Sequence, residues 1–158
     1  MIKKLAAVAL CALALAGCDR SEVGDVSLGL FTTKDIKLNN LTDPLVPGVT
    51  CHIASIEADL SLADPSDSSI ACRQTGEITP EMIAQIDKSK SGEVVFRKSK
   101  SIFFKTMKIR RIFDEQTQTL MYVSYSTKET SGSFKHSLST VPLWGTKAYN
   151  AFPAETSQ

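Results

Sequence analysis

Apolar residues in this chain recur mostly at every second position, in short runs broken by glycine, proline and small polar clusters. That period belongs to strands with one buried face. It predicts strands over 26–31, 35–41, 49–60 and 69–78 in the first half, and over 93–98, 101–113, 119–128 and 137–144 in the second. The segment 41–48 holds two prolines and a glycine and reads as a loop, and the five residues 114–118 suit a hairpin connection. Only one stretch has helical character. Thr79 is placed as an N-cap, Pro80 suits the first helical position, Ile78 and Ile83 occupy the staple positions, and the small apolar face of Met82, Ile83 and Ile86 runs out near Lys88. The pattern predicts a mainly β protein, a single antiparallel β-sandwich or partial barrel domain with one short helix.

The first 18 residues break this pattern. Lys3 and Lys4 precede an unbroken apolar run of 12 residues, Leu5 to Ala16, and Leu15-Ala16-Gly17-Cys18 closes it. The run is shorter than the roughly 18–20 residues that span a bilayer as a helix, and its layout is that of an export signal. The four closing residues resemble the bacterial lipoprotein box. That resemblance implies cleavage before Cys18, acylation of its thiol and new amino group, and attachment to the membrane. One acyl chain holds weakly, whereas two or more hold stably. The expected organisation is a lipoprotein signal peptide at 1–17, a lipidated N-terminus and tether at 18–25, a β-rich domain at 26–144 and a polar tail at 145–158. Asp19, at the second mature position, resembles an inner-membrane retention signal, so the expected location is the periplasmic face of the inner membrane.

Removing residues 1–17 leaves 141, enough for one domain with a real core, carrying 16 basic against 17 acidic residues. This balance gives no reason to expect a nucleic-acid partner. Of the four cysteines, Cys11 leaves with the signal and Cys18 is lipidated, so Cys51 and Cys72 remain as one pair in an oxidising compartment, where a disulfide is the default. Both fall on the inward face of predicted strands.

Three stretches, "VTCHIASIEADLSLADPSDSSIACRQTGEI", "GEVVFRKSKSIFFKTMKIRRIFD" and "LMYVSYSTKETSGSFKHSLSTVPLW", resemble the CreA family of bacterial exported proteins over about residues 24–144. The resemblance implies an exported, small, β-rich domain with no catalytic residues to carry over. Its usual signal is an ordinary one, and the lipoprotein box here departs from that.

Candidate chemistry is sparse. A thiol-redox role for Cys51 and Cys72 lacks the two-residue spacing at a helix start that lowers a thiol pKa. His52 neighbours Cys51 on a strand and so points to the opposite face, which excludes a direct Cys–His pair. His136 lies in a glycine- and serine-rich segment read as a loop. Neither histidine has ligand-spaced partners, so no metal site and no cofactor are expected. Asp64 and Asp67 read as turn residues. An enzyme assembled only in the fold would draw on Asp59, Asp64 or His52. The strongest functional feature is electrostatic: Arg97, Lys98, Lys100, Lys105, Lys108, Arg110 and Arg111 put seven positive charges in 15 residues, with no acid between Glu93 and Asp114. If contiguous, they would contact anionic headgroups, an envelope polymer or an acidic protein surface. The expected function is a lipid-anchored, non-catalytic binding or accessory domain.

Overall fold

The computed structural model of the chain describes residues 21–30, 34–58, 68–99, 106–127 and 135–151. The elements are β1 (Glu22–Ser27), β2 (Lys34–Thr42), β3 (Val49–Ala58), β4 (Ser68–Gln74), α1 (Pro80–Gln85), β5 (Glu93–Ser99), β6 (Thr106–Asp114), β7 (Thr119–Thr127) and β8 (His136–Pro142). They form two four-stranded antiparallel sheets, ordered β1-β2-β3-β4 and β5-β6-β7-β8. Every strand pairs with its neighbour in sequence. The mainly β, antiparallel two-sheet architecture read from the residue pattern is therefore the observed one, and the sheets do not close into a barrel.

The alternation that predicted the strands is also what buries them. In β6 every second residue is buried, from Met107 through Ile109 and Arg111 to Phe113, and β7 answers with Leu120, Tyr122 and Ser124. In β3 the inward row is Val49, Cys51, Ile53 and Ser55. The sheets meet where β4 lies against β8 and β7. There the Cys72 amide donates to Ser139 Oγ at 2.7 Å, and the hydroxyls of Ser68 and Ser124 bond at 3.1 Å. Small side chains here let two backbones approach, and Ser68, Ser124 and Ser139 each keep a hydrogen-bond partner.

Ile83 of α1 and the flanking Ile78 and Ile86 complete the core. The helix is shorter than its pattern suggested, ending at Gln85 because Ile86 is already extended. Thr79 holds the N-cap position, but its side chain makes no cap hydrogen bond to the backbone. It bonds the Glu81 carboxylate instead, which holds that group below the ordinary glutamate pKa.

Two boundaries differ from the sequence reading. The first strand begins at Glu22, inside the supposed tether, because β2 pairs with residues 22–27, and it ends before Gly29, whose φ of 124° leaves the strand region. The C-terminal segment packs as well: Ala148 is fully buried and its amide donates to the Ile78 carbonyl at 3.1 Å. Gln118 and Asn150 exchange two hydrogen bonds. Residues 101–105, the first part of the predicted sixth strand, lie outside the described residues.

Candidate functional site

The most concentrated polar chemistry lies inside the domain. Asp43 follows β2 in the loop read as a turn, and Arg111 is an inward residue of β6; both side chains are 1% exposed. One Arg111 nitrogen, Nη1, donates to both Asp43 carboxylate oxygens, at 2.6 Å to Oδ2. Its other terminal nitrogen, Nη2, is paired with Glu93 of β5, which is about a third exposed. Tyr122, fully buried on β7, donates its hydroxyl to Asp43 Oδ2 at 2.7 Å. The amides of Leu45 and Val46 complete the set, donating to Asp43 Oδ1 at 2.9 and 3.0 Å. The carboxylate thus accepts bonds from a cation, a phenol and two backbone amides, the satisfaction that a buried charge needs. Burial, reinforced by the Asp43 carboxylate, pushes the Tyr122 phenol far above its ordinary pKa.

Asp43, Arg111 and Tyr122 are buried and Glu93 alone of the four reaches the surface, so the geometry suits a tie between the two sheets. Sequence reasoning missed it. Asp43 stands before Pro44 and looks like a turn former, while Arg111 reads in sequence as one more cation of the basic strand. The available signal was the register Met107, Ile109, Arg111, Phe113, in which an arginine stands in an otherwise apolar inward row.

The basic strand is accordingly divided. Arg111 faces the interior and leaves the set of outward contacts. Arg110 lies on the outer face but is engaged, donating to the carbonyls of Ser91 and Gly92 at 2.8 and 3.1 Å. Arg97 and Lys108 stand directly opposite each other across β5 and β6, with Lys98 next to Arg97. Lys100 and Lys105 lie outside the described residues, as do Asp59, Asp64, Asp67 and Cys18 with Asp19. His52 is exposed on the outer face of β3, and His136, expected in a loop, is the first residue of β8.

Cys51 and Cys72 are register partners in the β3–β4 ladder and are joined by a disulfide. They are 1% and 9% exposed, in a core of Val49, Ile53 and Val141. Among the described residues no group of histidine, cysteine or carboxylate side chains is arranged to hold a metal, and no helix is long and apolar enough to cross a membrane. An open depression of about 300 Å³ is lined by Ile36, Ala54, Ser55, Ile56, Ser68 and Ser69.

Fold and site together define a β-rich, disulfide-stapled two-sheet domain locked by a buried carboxylate–guanidinium tie. Residues 23–146 match the family described as CreA protein, and the chain belongs to that family. It is 40% identical over 108 residues to Protein CreA of Escherichia coli strain K12, an alignment covering 64% of this chain and 68% of the relative. The same figures hold for Protein CreA of Escherichia coli O157:H7. No solved structure matches the chain.

Proposed function

We propose that the mature protein is a lipid-anchored accessory domain of the periplasmic face of the membrane, acting by binding rather than by catalysis. The observation that carries this reading is the Leu15-Ala16-Gly17-Cys18 box at the end of an apolar run too short to span a bilayer. A buried disulfide supports it, because such pairs persist in oxidising compartments. The outward cations Arg97 and Lys108 offer a contact for an anionic headgroup, envelope polymer or acidic protein surface.

Metabolic labelling with palmitate tests the anchor. Wild-type protein takes up label and Cys18→Ser does not; equal labelling of the two would sink the anchored reading. Membrane fractionation tests the location separately. Asp19 supports an inner-membrane location, and recovery chiefly in outer-membrane fractions would reject that location while leaving the anchor standing.

A further inference from the structure

The first sheet is sorted by charge between its two faces. Residues directly opposite in an antiparallel ladder share a face, so the pairs Val26–Ile36, Ile36–Ile56 and Leu38–Ala54 assign these side chains to one side of the sheet. That side is the outer one, because the intervening β3 residues Cys51, Ile53 and Ser55 are buried. Ala71, opposite His52, and Arg73, opposite Thr50, extend the same face across β4. The carboxylates sit behind it: Glu22 and Asp25 fall on the other side, where both pair with Lys37, at 3.2 and 3.9 Å. Among the described side chains of the outer face the fixed charge is Arg73, a cation. A sandwich normally turns polar residues outward, and here one end of the outward face is an apolar patch of Val26, Ile36, Leu38, Ala54 and Ile56, with Asn40, His52, Thr50 and the cation Arg73 toward the other end.

Exposure reinforces this. Val26 is 50% exposed, and Leu28 and Leu30, which leave β1 at its far end, are 46% and 100% exposed. Apolar patches of this kind mark contact surfaces. What covers this one follows from where the chain leads. Ser21, whose carbonyl accepts the Asn40 amide, is fixed at the start of the edge strand β1, and Cys18 is three residues upstream, within about 10 Å of extended chain. We infer that the outer face of the first sheet is a membrane-docking surface that lies on the anionic headgroup and acyl boundary of the bilayer to which Cys18 is fastened. Its apolar residues enter the boundary and Arg73 meets lipid phosphate, the division of labour seen in interfacial amphipathic elements. A sheet face suits this position because its backbone groups are already paired within the ladder.

The inference rests on the lipid-anchored reading, so the test reads the anchor first. Full-length protein purified from membranes is weighed by mass spectrometry and reconstituted into phosphatidylethanolamine–phosphatidylglycerol vesicles with brominated acyl chains. Trp144 is the chain's sole tryptophan and is 73% exposed beyond β8. It reports the alternative upright orientation, and in a Trp144→Phe background Val26→Trp reports the docking face and Ser89→Trp the solvent. The expected result is several-fold stronger quenching and a blue shift at Val26→Trp relative to both other positions. An unquenched Val26→Trp in verified lipidated protein overturns docking and leaves the anchor intact, as does quenching of Trp144 alone. A Val26→Trp probe that is shielded without quenching, together with crosslinked dimers, assigns the face to a second copy and also overturns the inference. Absence of lipid on Cys18 removes the anchored reading, and the docking inference with it. Val26→Asp with Leu30→Asp, both at exposed positions, keeps the fold and lowers the Arg73-side contact with phosphatidylglycerol.

Discussion

Arg111 and Asp43, 68 residues apart in the chain, meet in the interior as a two-oxygen ion pair that joins the second sheet to the loop leaving β2. Removing one partner of a buried pair leaves an uncompensated charge and costs about 3–5 kcal/mol. Arg111→Met is therefore expected to lower urea-unfolding stability by that amount, whereas Glu93→Gln, at the partly exposed end, costs about 1 kcal/mol or less. The double variant Asp43→Asn/Arg111→Met costs less than the sum of its singles, because the charge left stranded by each single change is gone. An Arg111→Met protein as stable as wild type would show that the tie is dispensable.

The disulfide closes a segment between residues 51 and 72. Chain-entropy reasoning assigns a loop of this length about 3 kcal/mol. Cys51→Ala/Cys72→Ala should lose that stability while keeping the β-sheet circular dichroism of the parent, since the β3–β4 ladder has six other register pairs. Complete loss of sheet structure would mean that the bond is needed to form the ladder and does more than stabilise it.

Two glycines separate crowding from backbone conformation. Gly48 has no unusual φ, but a Cβ there would collide with the Glu77 carbonyl, and its own carbonyl accepts the amides of Thr75 and Gly76 at 2.8 and 3.1 Å. Gly145 has φ +81° and open space around its Cβ position. Gly48→Ala should therefore cost about 3 kcal/mol from overpacking against backbone, and Gly145→Ala about 1 kcal/mol from the left-handed conformation alone. The reverse order in thermal unfolding would contradict the close approach of the two loops.

Alkaline pH should weaken the fold through Tyr122. Burial and the Asp43 carboxylate raise its folded-state pKa above that of an unfolded tyrosine, which ionises near 10. Above that pH the unfolded chain gives up a proton that the native state retains, so this part of the stability is present below about 10 and is lost as pH rises. Tyr122→Phe removes the corresponding slope in a plot of unfolding free energy against pH, and phenolate absorbance at this site should appear only with unfolding.

Acid acts at the surface. The Thr117 hydroxyl and the Thr117 and Gln116 amides hold the Asp114 carboxyl below its ordinary pKa at the β6–β7 hairpin. Its contribution is present above the unfolded aspartate value and lost as pH falls through the lower folded one. Asp114→Asn should flatten that acid limb, and an unchanged limb would show that the turn does not depend on the charged form.

The strands were legible because alternation and burial have the same cause. In β6 and β7 the alternation marks strands in which every second residue is buried, and the Cys51–Cys72 pairing follows from two inward cysteines on neighbouring strands. The limits of local pattern are equally physical. Residues 22–25 look like a tether because an edge strand has little to bury, and only the ladder with β2 defines them as strand. Asp43 looks like a turn residue because its partners Arg111 and Tyr122 lie 68 and 79 positions away, and no local window contains them. The sorting of charge between the faces of the first sheet is invisible until register is known.

The seam between β4 and β8 has a consequence for the order of assembly. Each sheet is made of four consecutive strands, so synthesis from the N-terminus delivers the whole first ladder and both cysteines before any strand of the second exists. Until Arg111 and Tyr122 emerge, the carboxylate of Asp43 has only its own loop for company, and Cys72 has no serine to receive its amide. The first half of the chain thus holds a carboxylate whose cation and phenol are both supplied by the second half.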